Sequence, residues 1–194
     1  MKNFLYLVSL VLIFVFASIV IYLSTIGIET SKFNNLIVKE IKKKDLNIEL
    51  KLKKIKIKLD LKKFQLFLST NNPKLTYQNI KIPITKVKIY SKINKIFNTK
   101  IEVSQIVFGV KKFKIQDVQK LAIRIKPSNF KTYLLNNING GEIEEALFDL
   151  NTDKDFKLVD YKASGTIKKI DAKLTSDFII QNISFNFIAD KSLT

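Results

Sequence analysis

Residues 46–68 read LNIELKLKKIKIKLDLKKFQLFL, and apolar and polar side chains alternate through almost the whole stretch. A period of two puts every apolar side chain on one side of an extended chain and the lysines on the other. A helix turning every ~3.6 residues would scatter the same isoleucines around its circumference, and β-branched residues favour extended backbone. Leu46, Ile48, Leu50 and Leu52 share one parity and Ile55, Ile57, Leu59 and Leu61 the other, so one residue is inserted at Lys53-Lys54. A β-bulge there would return the second set, with Phe64, Leu66 and Leu68, to the face of the first. The spacing predicts that all of these side chains line the concave face of one curved sheet.

Toward the N-terminus, Phe4 to Ile28 is a run of 25 residues without a charge. As a helix it would measure about 37 Å, against about 30 Å of bilayer hydrocarbon. A cleaved signal peptide has an apolar region of about 7–15 residues ending at small residues. Here Tyr22, Leu23 and Ile26 continue past Ala17-Ser18. Residues 1–28 therefore read as a transmembrane anchor. Residues 29–45 read as a juxtamembrane amphipathic helix, capped at Thr30-Ser31, with Phe33, Leu36, Ile37 and Ile41 on one stripe. Lys42 to Lys44 suit its C-terminal end. Residues 46–194 are left for a β-groove domain.

Past Leu68, Ser69-Thr-Asn-Asn-Pro73 is a dense turn signal and predicts a hairpin. Ile80, Ile82 and Ile84 straddle Pro83, and Val87 and Ile89 resume one residue out of phase, which makes Pro83 an edge or bulge position. Ser91–Phe97 has the spacing of a short helix. Strands are expected over Ile101–Phe108, with Gly109 as a break, and over Phe113–Ile115 and Leu121–Ile125. Pro127-Ser128 opens a helix carrying Phe130, Tyr133, Leu134 and Ile138, and Gly140-Gly141 closes it. Ile143–Leu150, Phe156–Ala163, Thr166–Leu174 and Phe178–Ile188 then read as an antiparallel meander with turns at Asn151–Asp153, Ser164-Gly165 and Thr175–Asp177. Nine or ten strands would make a sheet about 45 Å across. Three short helices cannot cover one apolar face of that size, so the sheet must curl, find a partner or hold apolar ligand.

The chain has no cysteine, histidine or tryptophan. That removes disulfides, thiolate and imidazole metal sites, thiol nucleophiles and any Ser-His-Asp arrangement. Glu142, Glu144, Glu145 and Asp149 form one acidic cluster, on an edge-like strand with no partner group for acid–base work. No catalytic or metal-binding residue and no cofactor is expected. Net charge is uneven: residues 1–126 hold 26 Lys+Arg against 7 Asp+Glu, net +19, and residues 127–194 hold 8 against 10, net −2. Most lysines alternate singly with apolar residues, the pattern of solvated strand faces, although a cationic base could also rest on anionic headgroups. Arg124 is the only arginine, and the arginine forks and clustered aromatics of a nucleic-acid groove are missing. The apolar face is the site candidate. Long rows of Ile, Leu and Phe suit acyl chains, each buried CH₂ contributing about 0.8 kcal/mol, and they equally suit a collapsed β core.

The order of features resembles the N-terminal region of the AsmA-like proteins, bacterial relatives of the chorein-type bridge-like lipid transfer proteins. The features are the anchor, the capped helix at Ser31–Ile41, the Ile-Lys alternation to Leu68, the turn at Asn72-Pro73, the segment Val87–Phe97 and Ile101-Glu-Val. Gly141-Glu-Ile-Glu-Glu-Ala, Asp160-Tyr-Lys-Ala-Ser-Gly-Thr-Ile167 and Phe178–Phe185 are similar to the repeated groove strands of larger members. The resemblance implies an inner-membrane protein with a periplasmic β-groove that binds and conducts phospholipid. A second reading is a non-enzymatic assembly factor for outer-membrane proteins, holding partner strands at the sheet edge. The charges beside the anchor oppose the implied orientation: Lys32, Lys39 and Lys42 to Lys44 follow it while Lys2 precedes it, which by the positive-inside rule favours a cytoplasmic domain. The chain also stops just after a strand, at Leu193-Thr194, without a closing helix, as an incomplete protein or a sheet edge awaiting more strands would.

Overall fold

Alternation, one long apolar segment and a few helical stripes give a mainly β molecule. The computed structural model describes residues 2–44, 47–91, 103–124, 126–153, 155, 157–175 and 178–191. Helix α1, Lys2–Thr25, is apolar along its length and is exposed over most of it, with Val20, Leu23 and Ser24 partly covered near its C-terminal end. Its ~36 Å exceed the hydrocarbon thickness, so it is long and apolar enough to serve as a membrane anchor. It ends three residues before the expected boundary at Ile28. The amides of Ile26 and Gly27 turn back onto the Tyr22 carbonyl at 3.0 and 2.9 Å, and Gly27 takes φ +77°, a left-handed conformation that suits glycine.

That turn delivers the chain into β1, Ile28–Thr30, which pairs antiparallel with β3, Ile55–Asp60. The remaining strands of this sheet are β4 (Gln65–Asn71), β7 (Ile84–Ser91), β8 (Val103–Lys114), β9 (Ile138–Thr152), β10 (Leu158–Lys173) and β11 (Ile179–Asp190). Their order is β1-β3-β4-β7-β8-β9-β10-β11, every pair is antiparallel, and the sheet is open, with β1 and β11 at its edges. A second, three-stranded sheet holds β2 (Ile48–Lys51), β5 (Lys74–Tyr77) and β6 (Ile80–Ile82), in the order β2-β5-β6. The helices are α2 (Lys32–Lys44), α3 (Ile115–Ala122) and α4 (Asn129–Asn137), the last N-capped by the Ser128 hydroxyl accepting from the Lys131 amide at 3.1 Å.

Strand direction sorts the connections into two ends. β1 leaves the end of α1, and β3 returns to it: the Lys58 ammonium donates to the Thr25 carbonyl, and α1 touches β3. The β3–β4 turn at residues 61–64 and the end of β9 at Thr152, where the Asp153 amide donates to the Lys157 carbonyl ahead of β10, therefore lie at the anchor end. The insertions that carry α2 with β2, β5 with β6, and α3 with α4 all leave from the other end. Burial follows this division. Leu59 and Ile57 are half-buried and Ile55 is buried; Leu66 is half-buried and Leu68 buried. The closed core of Val110, Phe113, Ile115, Ala122, Leu134, Ile143, Ala146, Ile170 and Ala172 sits under α3 and α4, far from the anchor.

Several expected elements take other forms. Gly109 interrupts nothing, since β8 runs through it, and Leu121 to Arg124 form no strand, because Leu121 and Ala122 end α3, whose apolar side chains pack on the core; Ile125 lies outside the described residues. Gly140-Gly141 is not a helix cap: α4 ends directly in extended Ile138 and both glycines belong to β9. Ser164-Gly165 is not a turn but the middle of β10. Of Ser69–Pro73, the first three residues continue β4 and only Asn72-Pro73 turns the chain into the small sheet, so no hairpin forms there; the next hairpin is β5–β6, closed by Gln78 and Asn79 at φ +48° and +67°. Apart from Ser91, the helix expected at Ser91–Phe97 lies outside the described residues.

At Gly165 the β9 backbone comes so close that an added Cβ would stand 2.8 Å from the Ala146 Cα and overlap the Glu145 carbonyl. Gly165→Ala is expected to cost about 1–3 kcal/mol of stability by forcing β9 and β10 apart. Gly140→Ala, whose Cβ would meet only the Asp171 carboxylate end at 3.2 Å, should cost less. Denaturant unfolding of the two variants measures the difference.

Candidate functional site

Directly paired residues of an antiparallel ladder point to the same face. Following partners from strand to strand gives one transverse row: Ile28 with Ile57, Ile57 with Leu68, Leu68 with Ile89, Ile89 with Ile106, Ile106 with Leu150, and Leu150 with Tyr161. Seven strands contribute, and at about 4.8 Å per step the row extends about 29 Å. One step further from the anchor a second row follows, Val87 to Phe108 to Phe148 to Ala163 to Ala189. The Phe108 and Phe148 rings stack within it at 4.8 Å. Ile57, Ile89, Ile106 and Leu150 are half-buried while Leu68 is 3% exposed. The row from Ile28 to Tyr161 is thus an apolar strip with part of its area open, closed over at Leu68.

The structure divides the sequence-predicted face. Ile55, Ile57, Leu59, Leu66 and Leu68 do share one side of the large sheet. Ile48 and Leu50 belong to the small sheet, paired with Tyr77 and Leu75. The parity change at Lys53-Lys54 is a change of sheet, not a bulge: residues 52–54 form a link outside any strand, which includes Leu52, and the Asn34 amide fastens it by donating to the Lys53 carbonyl at 2.8 Å. Leu61 and Phe64 fall in the β3–β4 turn and are exposed, and Leu46 lies outside the described residues. Sequence reading missed the contributions of Ile28, Ile89, Ile106, Leu150 and Tyr161. Their alternation within strands was legible, but their common row depends on register.

The opposite face of the same strands is mostly polar, with the buried rings of Phe67 and Tyr90 among the lysines that alternate with the isoleucines. Lys54 and Lys56 bind Glu29 at 2.9 and 3.4 Å, holding its carboxyl below the usual carboxylate range. Phe67 and Tyr90 lie 5.2 Å apart with the Lys88 ammonium over the Phe67 ring and that of Lys63 over Tyr90. The Tyr90 hydroxyl donates to Asp60 at 2.8 Å; Lys63 donates to the Gln105 side-chain oxygen, and the Gln105 amide donates to Asp149. Burial, followed by the adjacent Asp60 carboxylate, raises the Tyr90 phenol well above its ordinary value, and the same hydrogen bond lowers Asp60. Burial among other lysines lowers Lys88. Of the acidic cluster, Glu144 pairs with Lys168 at 3.5 Å and Glu145 with Lys111 at 3.6 Å. No group of His, Cys, Asp or Glu with metal-binding geometry occurs among the described residues.

Comparison with family models, with curated proteins and with solved structures returned no match for this chain.

Because the phenol of Tyr90 is raised in the folded state, its contribution to stability is fully present below the ordinary tyrosine value of about 10 and is lost as pH climbs through the folded value. Ultraviolet titration of the parent and of Tyr90→Phe should differ by one phenol that ionises late, above the ordinary tyrosine value. A difference between the two curves confined to the ordinary tyrosine range would contradict the assignment.

Proposed function

We propose that this chain is a membrane-anchored β-groove protein that binds phospholipid and passes it along the apolar face of its large sheet, without catalysis. The carrying observation is the row from Ile28 to Tyr161, apolar across six strands and ending on a tyrosine ring, which begins three residues after the membrane-length helix. A strip that starts at the bilayer and is partly open at every position but Leu68 offers acyl chains a surface without a polar step. Holding them requires area rather than specific hydrogen bonds. The order of elements that resembles the AsmA-like proteins agrees with this reading. On that basis the proposed setting is the bacterial inner membrane with the sheet in the periplasm, conducting lipid toward the outer membrane in envelope biogenesis.

The second reading, an assembly factor for outer-membrane proteins, has its own observation. β11 is a 12-residue edge strand with Ile179, Ile183, Phe185 and Ile188 between 40% and 65% exposed. A long apolar edge of that kind is a template for an added strand.

Mass spectrometry of detergent-purified protein should find retained phospholipid. Ile57→Asp places an unpaired carboxylate in the strip, where desolvation is costly, and should abolish retention while the protein stays folded. Ile57→Ala should leave retention nearly unchanged. Ile55→Ala, in a residue 2% exposed, should instead lose about 2–5 kcal/mol of stability. Equal destabilisation by both Ile57 variants, with no lipid in the parent, would leave a closed core in place of a groove.

A phosphatase joined after Thr194 should be active in the periplasm. Activity confined to a cytoplasmic reporter at the same position would reverse the orientation.

A further inference from the structure

The β3–β4 turn, Leu61-Lys62-Lys63-Phe64, holds its apolar side chains outward. Leu61 is 54% and Phe64 69% exposed, and Lys62 is exposed between them. The turn is nevertheless tightly fastened. One Asp60 oxygen accepts from the amides of Lys62 at 3.0 Å and Lys63 at 3.3 Å, and the other accepts from the Tyr90 hydroxyl at 2.8 Å. Lys63 folds back over the Tyr90 ring, 4.4 Å from its centre, and donates to Gln105. Phe64 itself takes φ +51°, a backbone conformation that a bulky residue rarely adopts. A flexible loop would lay these two side chains onto the sheet; this one cannot.

Its position gives the exposed pair an occupant. β3 runs back toward the end of α1, and the Lys58 contact with the Thr25 carbonyl lies only three residues before Leu61, about 10 Å of strand. We propose that the turn is a second membrane contact, with Leu61 and Phe64 entering the boundary between headgroups and acyl chains of the bilayer that α1 crosses and Lys62 meeting lipid phosphate. Apolar side chains flanking a lysine are the composition of an interfacial anchor, and an anionic leaflet attracts the cation. The contact rests on the anchor and not on passage of lipid along the sheet.

The chain has no tryptophan, so Phe64→Trp places a single emitter in the full-length protein. Reconstituted in phosphatidylcholine–phosphatidylglycerol vesicles, its emission should shift to the blue and be quenched by lipids brominated near the headgroup end of the acyl chain. Leu61→Trp should behave alike. Tyr133→Trp, on α4 at the end away from the anchor, should stay unquenched. An unquenched turn beside a quenched Tyr22→Trp in α1 would overturn the proposal, as would equal quenching at position 133. A blue shift without quenching would mean that protein, not lipid, covers the turn, and an unquenched Tyr22→Trp would remove the anchor on which the contact depends.

Discussion

Three residues of strand, Ile28–Thr30, couple the anchor to everything else. Had the chain left α1 through a flexible linker, the sheet could face any direction and its ends would have no relation to the bilayer. Backbone pairing of β1 with β3 instead fixes the first edge of the sheet, and strict antiparallel order then decides which end of every later strand lies near the anchor. The side chains at the junction add little by comparison. The ion pairs of Glu29 with Lys54 and Lys56 are exposed, where solvent screens the attraction. The ladder and the one-residue turn at Gly27 set the geometry.

Cover is distributed along the strands rather than across them. Each large insertion in the described chain leaves from the end away from the anchor, so α3, α4 and β6 close that end into a packed core. Near the anchor the described connections are turns of a few residues, too short to lay apolar surface over the sheet. Fully burying an isoleucine or leucine contributes about 1.5–3 kcal/mol, so the half-buried row forgoes part of that stabilisation at several positions in succession. Ordinary folding pressure does not favour such an arrangement, and the unused area is where a ligand would gain most.

Much of this was legible in the alternating segments. Periodicity identified β3, β4 and β7 and the polarity of their two faces, and the uncharged run gave α1. What it could not distinguish was a bulge from a change of sheet at Lys53-Lys54, because both shift the pattern by one residue. Glycine misled in a consistent way. Gly109, Gly140, Gly141 and Gly165 read as breaks, yet all four lie within long strands. At Gly165 the residue is small so that a neighbouring backbone can approach, and at Gly141 so that the Ile170 side chain can pack over it. In Leu121–Ile125 the residues that belong to α3 are Leu121 and Ala122, both good helix formers, while the β-branched Ile123 that suggested a strand only caps its end. The transverse row was beyond reach for another reason, since register is a property of pairs of strands.

The junction at Gly27 has a mechanical side. With the helix end bonded to β3 through Lys58 and continued without slack into β1, a tilt of α1 becomes a tilt of the sheet edge. Helices longer than the local hydrocarbon thickness accommodate by leaning. At about 36 Å, α1 has length to spare in a bilayer of about 30 Å. Bilayer thickness would then set the angle at which the first strands meet the leaflet, and a change in lipid composition would re-aim the sheet without altering a single contact inside it.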